Sequence, residues 1–268
     1  METSSERARG RGNTASTTHR TCAGGSNMAR KILRLLAIVL LMAGASLALG
    51  RPAPVLADGP WLGYTSSSLN VRAAPTTASA VVRMLDEGES VAVSEWVDGD
   101  VVLEDNGTWG MIGPGQYVYS AMLRKNTDVG PPPPPAWAHQ GRDWIDVNVT
   151  QQTIAAYAGD QLLFWAVVST GRPRYPSPIG TFQILRRVEN ETMTNANLSF
   201  ITDNYVVPNV RFTQYFNTFG AALHANYWKT ENSPWGVPTS HGCVGMKDAD
   251  AEWFWVWAKV GTPVVLHY

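Results

Sequence analysis

The chain has 268 residues, 44% hydrophobic and 16% charged, with a formal net charge of −1. That length holds one large domain or two small ones, each able to bury a core, and the near-neutral balance gives no electrostatic case for nucleic-acid binding, which needs a basic face. Eleven tryptophans can fill cores or line a carbohydrate or peptide groove, and composition does not separate those uses.

Residues 1–27 are polar and rich in Arg, Ser and Thr, and read as an extension ahead of a start at Met28. Arg30, Lys31 and Arg34 then precede an apolar run from Leu35 to Leu49, followed by Val55-Leu56-Ala57. A positive stretch, a short apolar stretch and small residues at a cleavage point make an export signal over 28–57. The run is shorter than the ~20 residues that span a bilayer, so membrane contact is expected only through this signal, or through the same segment retained as an anchor. Export places the protein in the cell wall, the periplasm or the extracellular space. Cleavage after Ala57 removes Cys22 and leaves Cys243 as the one cysteine of the mature chain. A lone thiol outside the cell has no internal disulfide partner, which points to a buried or a working group.

From residue 60 to 126 short apolar alternations end at turn residues: "AVVRML" before "DEGES", "SVAVSEWV" before Asp98-Gly99, and "VVLED" before Asn106-Gly107. Asp-Gly and Asn-Gly between such runs predict hairpins, and several strands in this length predict a small β-barrel. "LNVRAAP", "EGESVAV" and "TWGMI" resemble the bacterial SH3-like domain, with Ala74 where that family usually has glycine. The resemblance implies either a wall-targeting module or a spacer.

Five prolines, Pro131–Pro135, lie in a linker over 127–137; locked near polyproline II and without N–H donors, they act as a semi-rigid spacer. The second piece, 138–268, is again β-rich. "WIDVNVT", "TIAAY", "LLFWAVVS" and "GTFQI" read as strands separated by "AGDQ" and "PSPIG". One helix is expected over Lys247–Lys259, with Asp248 as N-cap, Asp250 and Glu252 in its first turn and Lys259 at its end. Trp253 and Trp257, four apart, are expected to be core. The stretch Arg186–Asn209 is long and polar and reads as a lid loop.

The chemistry gathers near the C-terminus. The mature chain has four histidines, and two of them, His224 and His241, lie close to Cys243. An ordinary thiol is mostly protonated at neutral pH, and a neighbouring imidazole can take its proton, leave a thiolate–imidazolium pair, and later protonate a leaving amine. Turn amides around Gly242 and Cys243 can face a developing oxyanion. Three neighbouring ligands could equally bind a metal, but no H-E-x-x-H, C-x-x-C or further His or Cys is near.

His224, fifteen intervening residues, then Ser240-His241-Gly242-Cys243 resembles the signature of the L,D-transpeptidase catalytic domain of the YkuD type. The likeness covers nearly all of 141–268. It implies a β-sandwich carrying a cysteine nucleophile under a mobile lid, so the expected fold is mainly β: a small SH3-like barrel, then this sandwich with one short helix. By motif position Cys243 is the nucleophile, His224 the general base oriented by a carbonyl near Ala225, and His241 a residue shaping the pocket. Ser240, Gly242, Tyr205 and Trp228 complete the candidate site as substrate contacts. No metal and no cofactor is implied. The partner is peptidoglycan: a stem tetrapeptide loses its terminal D-alanine to form a thioester, and an amine of a second stem resolves it into a 3→3 cross-link. The resemblance also implies acylation of Cys243 by carbapenems.

One position departs from the pattern. The second residue after the cysteine is usually Asn or Arg in that family, and here it is Gly245. Two further readings stand beside cross-linking: hydrolysis of the same thioester, an L,D-carboxypeptidase activity, and a wall-binding protein with an impaired site.

Overall fold

The computed structural model describes residues 59–128, 130–139, 141–197 and 204–268. The export-signal reading over 28–57 and Cys22 lie outside them. Among the described residues no helix is long and apolar enough to cross a membrane.

The N-terminal part is built from eight strands: β1 (Trp61–Thr65), β2 (Leu69–Arg72), β3 (Val81–Leu85), β4 (Ser90–Val93), β5 (Glu95–Leu103), β6 (Asn106–Gly113), β7 (Gln116–Tyr119) and β8 (Leu123–Lys125). They form a three-stranded sheet, β4-β1-β8, and a five-stranded sheet, β3-β2-β7-β6-β5. Period-two alternation sends Trp61 and Thr65 inward and Leu62 and Tyr64 outward. Trp61, Val71, Leu85, Val93, Trp109, Val118 and Leu123 make the shared core.

Two of the expected hairpin turns fall elsewhere. Asp98-Gly99 lies inside β5, across a register shift against β6. A Cβ at Gly99 would stand 2.1 Å from the Pro75 carbonyl oxygen and 2.6 Å from Trp109 Cδ1; this glycine serves close backbone approach, a use that Asp-Gly does not distinguish from a turn. The β5–β6 turn is made by Glu104-Asp105, with Glu104 at φ 51°. Asn106 opens β6, where its side chain accepts from the Thr108 N–H.

The C-terminal part holds β9 (Asp143–Asn148), β10 (Thr153–Ala158), β11 (Gln161–Val167), β12 (Gly180–Gln183), β13 (Arg186–Thr194), β14 (Val206–Tyr215), β15 (Ala222–Ala225), β16 (Val244–Met246), helix α1 (Asp248–Trp257) and β17 (Pro263–His267). One sheet runs β11-β10-β9-β17-β12 and the other β13-β14-β15-β16. Pairing is antiparallel except for β17 with β9 and β15 with β16. The main core joins Ile145, Val147 and Ile154 of the first sheet to Leu223, Val244 and Met246 of the second and Phe254 of α1. The first sheet is covered on its other face too: Ala138, at the end of a 3₁₀ turn that follows the prolines, packs with Trp144, Tyr157 and Val265.

Three expectations change here. The N-cap of α1 is Lys247, and Asp248 is the first helical residue, its carboxylate paired with Arg211. Ala251 and Phe254 are the buried helix residues, while Trp253 and Trp257 are only half-buried beside them. The described ends of the polar stretch read as a lid loop lie in β13 and β14, an antiparallel ribbon with Arg186 opposite Tyr215 and Thr194 opposite Val206. Polar residues on both faces hid it, because ladder hydrogen bonds rather than a buried face define these strands.

The described residues fall within one compact unit. Trp61 Nε1 donates to the Gly236 carbonyl at 2.6 Å and Thr108 Oγ1 to that of Pro238 at 2.8 Å, both buried. Val237 between them is packed into the N-terminal core. The N-terminal strands thus grip the segment that runs directly into Ser240.

Candidate active site

Pairing of β15 with β16 sets the register: Leu223 opposite Val244, His224 opposite Gly245. Leu223, Ala225, Val244 and Met246 face the core. Alternation then puts Ala222, His224, Cys243 and Gly245 on the other face, where Cys243 packs with Met193, Val210, Tyr215 and Ala222. Two residues nineteen apart in sequence reach one surface because their strands are parallel neighbours.

His224 is buried, and its Nδ1 lies 3.0 Å from the Ala225 carbonyl oxygen. A carbonyl only accepts, so Nδ1 carries the proton and Nε2 is the basic nitrogen. His241 has the same tautomer for a different reason. Its Nε2 lies 2.7 Å from Arg172 Nη2, and a guanidinium only donates. The other end of that guanidinium donates to the Asp105 carbonyl at 2.8 Å, so a β5–β6 turn oxygen helps hold His241. Tyr175 and Tyr205 each stack on the His241 ring, at 5.1 and 5.3 Å between centroids. Trp228 stacks on His224 at 5.9 Å.

These side chains line a cleft of about 500 Å³. His224, Cys243, His241, Ser240, Tyr205 and Trp228 all reach it. Gly242 instead faces a smaller neighbouring cavity beside Pro176 and Phe219. The far wall comes from the N-terminal strands: Leu103–Asn106, Met122 and Arg124. Nothing in the motif announces these residues, since they lie more than a hundred positions upstream.

The turn at 240–243 is tied down internally. Ser240 Oγ donates to the Cys243 carbonyl at 2.6 Å and accepts from the Gly242 N–H at 3.1 Å. Ser177 Oγ donates to the Gly242 carbonyl at 2.9 Å. The Gly242 amide is therefore spent on Ser240, which removes it as an oxyanion donor in this conformation; the Cys243 amide is the remaining candidate.

Burial acts on both members of the pair. It pushes the Cys243 thiol up to about 11, with a backbone hydrogen bond from Ala222 opposing and the nearby Glu191 charge adding. It pushes His224 down to about 4, against the opposing pull of the Ala225 carbonyl. Taken singly, burial favours the neutral thiol and the neutral imidazole, because desolvation penalises each charge. Burial likewise raises the Tyr205 hydroxyl, which stays protonated and can only serve as a hydrogen-bonding group.

This protonation has a stability consequence. His224 binds its proton near pH 4 when folded and near 6.5 when unfolded, so its contribution is full above 6.5 and lost as pH falls towards 4. At about 1.4 kcal/mol per pH unit, the loss is about 3 kcal/mol. Urea denaturation at pH 7 and pH 4.5 is expected to show this slope, and His224→Gln to lack it.

Gly245 has a spatial explanation. Asn226 lies beside it, and a Cβ at 245 would stand 2.2 Å from Asn226 Nδ2 and 2.7 Å from its Oδ1. Asn226 is buried and lines the cleft. The space a side chain at 245 would fill is held by the Asn226 amide, one residue past the end of β15. Sequence reading missed Asn226, although its position two after His224 places it on the same face.

Among the described residues no group of three or more His, Cys, Asp or Glu is arranged to hold a metal ion. His267 and Asp146 form a buried pair at 2.9 Å between β17 and β9, in the other sheet.

The sequence model of the YkuD family, described as an L,D-transpeptidase catalytic domain, matches residues 142–266. A probable L,D-transpeptidase 3 of Mycobacterium tuberculosis is 27% identical over 107 residues, 37% of this chain and 36% of that protein. L,D-transpeptidase 1 of the same organism is 22% identical over 120 residues, 44% and 47% of the two chains. The chain thus spans less than half the length of these curated relatives. A solved L,D-transpeptidase from Mycobacterium smegmatis overlaps 47% of this chain and 59% of its own at 21% identity, with a TM-score of 0.43. The segment matched by the YkuD L,D-transpeptidase catalytic-domain model contains both β15 and β16, the strands that position His224 and Cys243.

Proposed function

We propose that the protein is an exported cysteine acyltransferase that makes 3→3 peptidoglycan cross-links by L,D-transpeptidation. The observation that carries the reading is the placement of His224 and Cys243 on one face of paired parallel strands, with Nε2 of His224 left basic by the Ala225 carbonyl. As Sγ attacks the carbonyl of the third stem residue, the thiol proton passes to Nε2. The developing oxyanion takes a donor from the 240–243 turn. Collapse breaks the amide bond, the departing D-alanine amine takes the proton from Nε2, and a thioester remains on Cys243. The amine of a second stem then gives its proton to Nε2 and displaces sulfur, which regains that proton. One amide is broken and one made, so no external energy source is needed.

A neutral resting pair suits this sequence. The thiolate forms only during attack, so the nucleophile is shielded from adventitious oxidation outside the cell. Tyr205 and Trp228, stacked over the two histidines, limit water near the thioester. In this reading residues 60–126 are an SH3-like module that contacts the wall while bounding the cleft, 127–137 is the linker and 138–268 the catalytic domain.

The test is to incubate the protein with a disaccharide-tetrapeptide and follow intact mass and products. The expected result is loss of D-alanine, a covalent adduct on Cys243, and cross-linked dimer when an acceptor is present; Cys243→Ala shows no adduct. Tripeptide without dimer identifies a carboxypeptidase, and no adduct with the peptide or with a carbapenem leaves a wall-binding protein.

A further inference from the structure

We propose that Lys229 is an anion subsite of the cleft and holds a carboxylate of the donor peptide beside Cys243. The inference rests on Cys243 being the acylated nucleophile. Lys229 Nζ donates to Ser169 Oγ at 2.7 Å and to Thr239 Oγ1 at 2.9 Å, and stands 4.9 Å from the Trp235 ring centroid. These partners are all neutral. An ammonium has three protons, so one is left over. Among the described residues no carboxylate forms an ion pair with it.

Lys229 is half-buried, and holding an ammonium even partly out of water is costly unless opposite charge compensates. Burial brings Lys229 down to about 8, which leaves it mainly protonated at neutral pH. Glu104 and Asp105, on the N-terminal wall, favour the charged form from a distance, and Arg124 is the other strong cation on the lining. Both anchors of the ammonium adjoin the reactive segment: Thr239 precedes Ser240, and Ser169 bridges to Gly245. The cation is thus built into the cleft that His224 and Cys243 share, with one donor proton unspent and opposite charge only at a distance. A peptide carboxylate supplies both needs.

Two carboxylates flank the bond that reacts: the α-carboxylate of the departing residue and, in a donor whose third residue is a dicarboxylic diamino acid, that residue's side-chain carboxylate. The experiment measures acylation of Cys243 by intact mass, at donor concentrations below saturation. It uses the free-acid tetrapeptide, its C-terminal amide and its side-chain amide. Wild type is expected to prefer the acid over one of the two amides by about 10- to 100-fold, the range of a charged hydrogen bond. That amide identifies the carboxylate. Lys229→Met is expected to lose this preference by slowing on the acid and far less on that amide, and Lys229→Arg to keep it.

Equal slowing of Lys229→Met on all three donors would mean that the lysine only fastens Thr239, and would overturn the subsite. Unchanged rates on all three would overturn it as well. If wild type is acylated by none of the donors, the nucleophile assignment fails first and the subsite falls with it.

Discussion

His224→Gln is expected to slow acylation of Cys243 by about 10²- to 10⁴-fold at neutral pH, the usual worth of a positioned base. The imidazole matters more here than in a protein with a preformed ion pair. With the thiol pushed up to about 11, only about one molecule in 10⁴ carries a thiolate at pH 7 by equilibrium alone. Without the base, attack must draw on that fraction. The rate of the variant should therefore rise about tenfold per pH unit through the alkaline range, whereas wild type should lose activity on the acid side as Nε2 becomes protonated near pH 4. Stopped acylation with a carbapenem, followed by mass across pH 4 to 10, reads both limbs. A variant within a few-fold of wild type, with the same pH profile, would remove His224 from the mechanism.

The second large effect is expected at Gly245. Gly245→Asn puts a side chain where Asn226 already stands, with the new Cβ 2.2 Å from Nδ2. Overpacking of this kind costs about 1–3 kcal/mol. Asn226 lines the cleft, so displacing its amide should lower acylation along with stability. Asn226→Gly in the same chain vacates the space. The double variant, carrying the amide at 245 and none at 226, should recover most of both losses, a coupling expected for residues in contact. Thermal melts and acylation rates of the two single variants and the double one form the cycle; additive losses would show that the two positions do not share one space.

The same pair shows how far reading the chain could go. Gly245 stood out as a departure from the family pattern, and no rule of sequence marks Asn226 as the residue occupying its space. That follows from the parallel register of β15 and β16, which joins segments separated by a long loop. His241 was legible as a pocket residue, but not its partner Arg172, nor the Asp105 carbonyl beyond it. The Pro-rich segment was legible as a boundary, and the strands on its two sides nonetheless meet through Trp61, Thr108 and Val237. Local turn chemistry misplaced two hairpins because glycine answers both to turns and to close backbone approach.

Read alone, the chain determined the β-rich class, the order of most C-terminal strands, the α-helix at Asp248–Trp257 and the choice of His224 and Cys243 as candidates. Each of these is carried by local periodicity or by a motif of fixed spacing. Tertiary structure decided how deeply the two groups are buried, the composition of the cleft's far wall, and the placement of Lys229 and Asn226 on its lining. Those depend on burial and on contacts between distant strands, and desolvation, unlike periodicity, is a property of what surrounds a residue rather than of what precedes it.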